Sequence, residues 1–180
     1  MPQPIIIVTG ASRGIGRAIA EELQARGAVV VGAARNVADL SAADGLLPVA
    51  ADVAQDAGRK ALLGAALGRF GRIDGLVNNV GGAFRCAAVD TTLENFRQVL
   101  ELNLLSAFAL SCLAYPHLKA SRGSIVNISS VTSHRALPIR AAYGTGKAAL
   151  DHLTRLLAVE WAPTASGSTP CCPGSPARRW

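Results

Sequence analysis

The chain has 180 residues, half of them apolar and 17% charged, a balance that supports one domain with a buried core and excludes an intrinsically disordered polypeptide. The formal charge is +6 and the isoelectric point about 9.7. The arginines are scattered and no basic-aromatic cluster accompanies them, so the charge does not mark a nucleic-acid surface.

Strand and helix patterns alternate along the chain. Ile5 to Val8 is an unbroken apolar run, as in a buried parallel strand. The helix predicted from Ile15 to Arg26 carries Ile15, Ile19 and Leu23 at four-residue spacing and stops at Gly27. Strands are predicted over Ala28 to Ala34 and Leu46 to Ala51, then a helix over Asp56 to Phe70, closed near Gly71. A fourth strand spans Ile73 to Val77, a long helix Leu93 to Leu118, bent by Pro116 near its end, and a fifth strand Ser124 to Ile128. The last helix runs from Ala141 to Trp161 and is stopped by Pro163. This order predicts an α/β fold with a doubly wound, Rossmann-like parallel sheet of five strands and helices on both faces. Ligands are then expected beyond the C-terminal strand ends, near the switch between the first and fourth strands.

The residues at those strand ends carry the chemistry. The first loop reads Thr9-Gly10-Ala11-Ser12-Arg13-Gly14-Ile15-Gly16. Its glycines allow a backbone to approach a phosphate, and the free N–H groups of the next helical turn point at it. Asp52 follows the third strand, Asn78-Asn79-Val80-Gly81 the fourth and Ser130 the fifth. Tyr143 and Lys147, four apart on a helix, share a face. A phenol is a poor acid or base near neutrality, and a neighbouring ammonium favours phenolate, so the two together form a proton-transfer pair. Each residue alone also has an ordinary reading: Asp52 as a helix cap, Tyr143 as a half-buried ring, Lys147 as a solvated amine, Asn103 as a helix-surface residue. His134 and His152 are read as loop and surface residues.

Taken together, these motifs resemble the short-chain dehydrogenase/reductase family from residue 4 to about residue 162. The glycine loop matches Thr-Gly-x-x-x-Gly-x-Gly. Asn78-Asn79-Val80-Gly81 matches Asn-Asn-Ala-Gly with valine for alanine, and Ser130, Tyr143 and Lys147 match the catalytic serine and the Tyr-x-x-x-Lys pair. The resemblance implies hydride transfer between a nicotinamide cofactor and a carbonyl or secondary alcohol, a small-molecule substrate. It implies Asn103, Ser130, Tyr143 and Lys147 as the catalytic group, and a pocket wall from Val131 to Arg140. Gly10, Ser12, Arg13, Gly14, Ile15, Gly16, Arg35, Asp52, Val53, Asn79, Val80, Gly81, Tyr143 and Lys147 are the implied cofactor-binding residues. Asp52 and Val53 would meet the adenine, and Asn79 would line the floor beneath the ribose. Where NAD-selective members carry an acid at the end of the second strand, this chain has Ala34 followed by Arg35, and Arg13 lies nearby in the loop. Two guanidiniums suit a 2′-phosphate, so NADP is expected rather than NAD. Homo-oligomerisation through the Leu93 and Ala141 helices is implied for the full-length form. The alternatives are a catalytically inactive nucleotide-binding remnant and a dimerising partner.

No apolar run approaches a membrane span, and strand residues begin too close to Met1 for a signal peptide, so no membrane partner and a cytoplasmic location are expected. Cys86, Cys112, Cys171 and Cys172 lack metal-ligand spacing and are read as reduced thiols; no metal site is expected.

The expected domain is 1–163. From Thr164 the composition turns to that of an irregular tail, 164–180, where the family continues with a sixth strand and a Pro-Gly turn. Shifting the frame at Thr164 permits Gly-Ile-Arg-Val-Asn-Ala-Val-Leu-Pro-Gly, and the middle bases force apolar residues at the Ile, Val, Val and Leu places. The tail is therefore expected to be a frame slip that truncates the family fold and leaves the fifth strand as an open edge.

Overall fold

The computed structural model describes residues 2–38, 40 and 45–162. The expected tail lies outside them. Five parallel strands form one sheet in the order β3-β2-β1-β4-β5: β1 Ile5–Thr9, β2 Val29–Ala34, β3 Leu46–Ala50, β4 Gly75–Asn78 and β5 Ser124–Asn127. The helices are α1 Gly14–Ala25, α2 Asp56–Phe70, α3 Leu93–Leu100, α4 Ser106–Ser121 and α5 Ala141–Trp161.

Two apolar clusters lie on opposite faces of the sheet, because successive strand residues point to opposite sides. Ile5, Ile7, Val31 and Leu76 pack with Leu62 and Ala66 of α2 and Leu110, Ala114 and Leu118 of α4. Val8, Val30, Ala34 and Val77 pack with Ala20 of α1. The sheet is thus doubly wound, as expected.

Most elements begin or end within two residues of their expected limits. The long helix differs more. It is continuous from α3 into α4, but Glu101–Leu105 is a π-helical turn, and Pro116 lies inside α4 without ending it. Buried Leu118, beyond the proline, keeps the last turn packed. The chain leaves the helix only at Arg122, which takes a left-handed conformation (φ 55°). The combined stretch Leu93–Ser121 is also long and apolar enough to cross a membrane by length and composition, contrary to expectation. Asn103, Ser106 and Ser111 interrupt the apolar run and hid it. All three are buried here, and the stretch packs against α2 and β4 as a core helix of the domain.

Candidate active site

Strand order reverses between β1 and β4, and Thr9 ties the two loops that leave them. Its Oγ1 donates to the Val77 carbonyl (3.2 Å) and accepts from the backbone N–H groups of Asn79 (2.9 Å) and Val80 (3.1 Å). Asn79 Nδ2 donates to the carbonyls of Thr9 (2.9 Å) and Gly10 (3.4 Å). Asn79 is therefore a brace for the glycine loop.

Gly10 and Gly14 take positive φ (68° and 58°), which turns the loop. Gly16 is required for another reason: a Cβ there would lie 2.2 Å from the Gly10 carbonyl oxygen and 2.4 Å from Asn79 Nδ2. α1 begins directly against the loop. Its N-cap, Arg13, is extended and makes no side-chain cap bond, and no acid stands in the first turn. The first N–H groups of α1 are thus left without a side-chain cap beside the glycine loop, an arrangement that suits an anion. Ser12 is half-buried at its rim, and Arg13 and Ile15 are exposed. Ala34 closes β2 in the core while Arg35 is exposed beside it, and among the described residues neither Arg13 nor Arg35 forms an ion pair.

Asp52 does not cap α2. The N-cap is Gln55, and Asp52 Oδ1 accepts from the Ala54 N–H (3.0 Å) in the turn before it. An Asp three residues ahead of the cap closes its own short turn instead. Val53 is buried and its carbonyl accepts from Arg59 (2.8 Å).

Past β4 and β5, Asn103, Lys147 and Tyr143 come together, and Ser130 follows the end of β5. Lys147 is only 3% exposed and its Nζ donates to the Ile128 carbonyl at the end of β5 (2.8 Å). Burial lowers its pKa below the ordinary lysine value, and the carboxylate of Asp151 acts in the opposite direction. Asn103 is fully buried within the π turn, so the helix-surface reading fails. Its Nδ2 donates to the carbonyls of Gly82 (2.7 Å) and Val99 (2.8 Å), and its Oδ1 accepts from the Gly82 N–H (3.2 Å). Gly81 lies between the two. A Cβ on it would be 2.7 Å from Asn103 Oδ1 and 3.2 Å from Lys147 Nζ. Tyr143 is half-buried, with Lys147 Nζ and Arg140 Cζ each 5.9 Å from its ring centroid. Ser130 Oγ accepts from Thr132 Oγ1 (2.9 Å) and, more weakly, from its N–H (3.3 Å). Ile139, just before α5, has φ +54°, a strained setting for a β-branched side chain. A cleft bordered by Phe84, Cys86, Val99, Ala141 and Ala142 adjoins the start of α5, so the loop after β4 supplies a wall that was not anticipated. His134 and His152 are exposed, as read from the sequence.

A family model described as short chain dehydrogenase matches residues 4–175. The chain belongs to this family. The match reaches past residue 162, where the motif resemblance was expected to end. The chain is 37% identical over 180 residues to a peroxisomal 2,4-dienoyl-CoA reductase of Danio rerio, a match covering 94% of the chain and 60% of that protein. It is 42% identical over 166 residues to a tropinone reductase homolog of Arabidopsis thaliana, covering 87% and 63%. A short-chain dehydrogenase structure from Streptomyces avermitilis superposes with a TM-score of 0.84 at 37% identity, covering 89% of this chain and 61% of that one. The chain thus spans less than two thirds of the length of each. Members of the family are oxidoreductases that use NAD or NADP.

Two features of the site were not singled out from the sequence. Thr9 was read as the first residue of the glycine loop, without the tie its hydroxyl makes to Val77, Asn79 and Val80. Asn78 belongs to a polar chain across the sheet: its Nδ2 donates to Ser111 Oγ (3.0 Å) and Asn127 Oδ1 (2.8 Å), and Asn127 Nδ2 donates to Thr154 Oγ1 (2.8 Å).

Proposed function

We propose that the chain is an NADP(H)-dependent oxidoreductase acting on a carbonyl or secondary alcohol. The observation that carries this is the meeting of Asn103 and Lys147 across Gly81, one helical turn from Tyr143 and at the same end of the sheet as the glycine loop. The dinucleotide supplies or accepts the hydride. Tyr143 gives a proton to the forming alkoxide, Ser130 holds the substrate oxygen, and Lys147 stabilises the phenolate left behind. The names of two relatives, a 2,4-dienoyl-CoA reductase and a tropinone reductase homolog, agree with a reductase reading.

Tyr143→Phe removes the proton donor and little else. It is expected to cut turnover on the order of a hundredfold or more while cofactor affinity stays nearly unchanged. Normal turnover in this variant, followed by NADPH absorbance against a panel of ketones, sinks the assignment. If the chain binds dinucleotide without any turnover, the inactive-remnant reading takes its place.

Cofactor choice rests on Arg35 and Arg13, exposed guanidiniums with no carboxylate partner among the described residues. NADPH is expected to bind more tightly than NADH, and Ala34→Asp with Arg35→Asp to reverse the order, because an acid repels the 2′-phosphate. Equal affinities in the unmodified chain, by fluorescence titration, overturn the preference.

A further inference from the structure

A buried ammonium is stable only where opposite charge or hydrogen bonds replace its water. Among the described residues Lys147 has a single neutral acceptor, the Ile128 carbonyl. The groups around it offer little more. Asn103 spends its side chain on Gly82 and Val99, Tyr143 presents its ring, and Arg140 adds positive charge near that ring.

One turn further along α5, on the same face, lies Asp151, its side chain only 18% exposed. It is mid-helix, too far from the N-terminus to gain from the helix dipole. Its Oδ2 and the Ser129 Oγ are both fully covered, and neither has a hydrogen-bond partner among the described residues. His134 Nε2 stands 3.3 Å from Oδ2 on the outer side. Ser133 and Arg155 complete the polar groups acting on the carboxylate.

We propose that Asp151 is the counter-charge that keeps Lys147 an ammonium, and so is a positioning residue for the Tyr143–Lys147 pair, with Ser129 and His134 orienting its carboxylate. Its direct electrostatics agree. Burial pushes the Asp151 carboxyl up, but Ser129, Ser133, His134 and Arg155 together outweigh this and hold it below the usual carboxylate range. Asp151 is therefore ionised at neutral pH. The catalytic consequence rests on the oxidoreductase reading; the charge relation does not.

The chain has three lysines, Lys60, Lys119 and Lys147, so Lys147 can be followed directly by NMR titration of Cε-labelled lysine. In Asp151→Asn the Lys147 midpoint is expected to fall by about one pH unit, the size of one partly screened charge at helical i,i+4 separation. Lys60 and Lys119 stay in place as controls, and Asp151→Glu restores most of the shift. An unchanged Lys147 midpoint in Asp151→Asn overturns the proposal. Should that variant fold poorly, the double variant Asp151→Asn with Lys147→Met decides: recovered stability marks the coupling, and additive losses refute it. These readouts need neither cofactor nor turnover, so they stand if the wild-type chain binds no dinucleotide and the oxidoreductase reading fails. In an active enzyme the basic limb of the kcat profile moves to lower pH by the same amount in Asp151→Asn.

Discussion

At Gly16 the nearest obstacles to a methyl group are the Gly10 carbonyl and the amide of Asn79, and neither is free to retreat. The carbonyl belongs to the turn itself, and the amide is held by the Thr9 carbonyl. Gly16→Ala must therefore push α1 off the loop or break the Asn79 brace. A loss of about 1–3 kcal/mol is expected from the displaced backbone and hydrogen bond. Dinucleotide affinity should fall at least tenfold, since the phosphate would meet a distorted loop. Gly14→Ala is the control: nothing lies within 4 Å of its added Cβ, and only the left-handed φ of 58° is penalised, by about 1–2 kcal/mol. Chemical denaturation with and without NADPH separates the two. Equal losses of affinity in both variants would show that the close approach at Gly16 is not what shapes the loop.

Between elements, the polar chain Ser111–Asn78–Asn127–Thr154 joins α4, β4, β5 and α5 side by side. Its position matters because β5 ends one residue before Ile128, whose carbonyl holds Lys147, and three before Ser130. Asn127→Ala leaves the buried Asn78 amide short of an acceptor and frees Thr154. It is expected to cost about 2–3 kcal/mol, whereas Thr154→Val, which strands only one donor, costs about 1 kcal/mol. Urea unfolding checks both, and equal, negligible losses would mean that the chain of amides contributes nothing to fixing β5. The elements themselves were largely legible in the sequence, because buried parallel strands are short apolar runs and glycines close the helices between them. Tyr143 and Lys147 were legible because helical spacing puts them on one face. The π turn at Glu101–Leu105 was not, since one extra residue in a turn leaves the apolar pattern almost intact. Nor was the burial of Asn103: its partners, Gly82 and Val99, come together only once the loop after β4 folds back on that turn. Asp52 misled because Asp serves a helix cap and a free-standing turn equally well, and only the backbone decides between them.

For the molecule as a whole, the cover on the two faces of the sheet is unequal among the described residues. α2 and α4 pack against one face, and α1 packs against the other over β1 and β2. Val77 of β4 faces the α1 side, and its register partner on β5 is Val126. One strand further out, Val126 passes beyond the shelter of α1 and is 49% exposed. The same strand pairs only with β4 among the described residues, so the expected open edge is present within them. An unpaired edge carrying an exposed β-branched residue is a template for another strand. The unmodified chain is therefore expected to associate with rising concentration, and Val126→Lys to weaken that association by placing a charge where a second sheet would pack. The substitution should leave thermal stability nearly unchanged, because the replaced side chain is half in water and Lys extends from it freely. Sedimentation velocity over a concentration series measures this. If the wild-type chain stays monomeric throughout, or if Val126→Lys associates as strongly as wild type, β5 is not the surface through which copies meet.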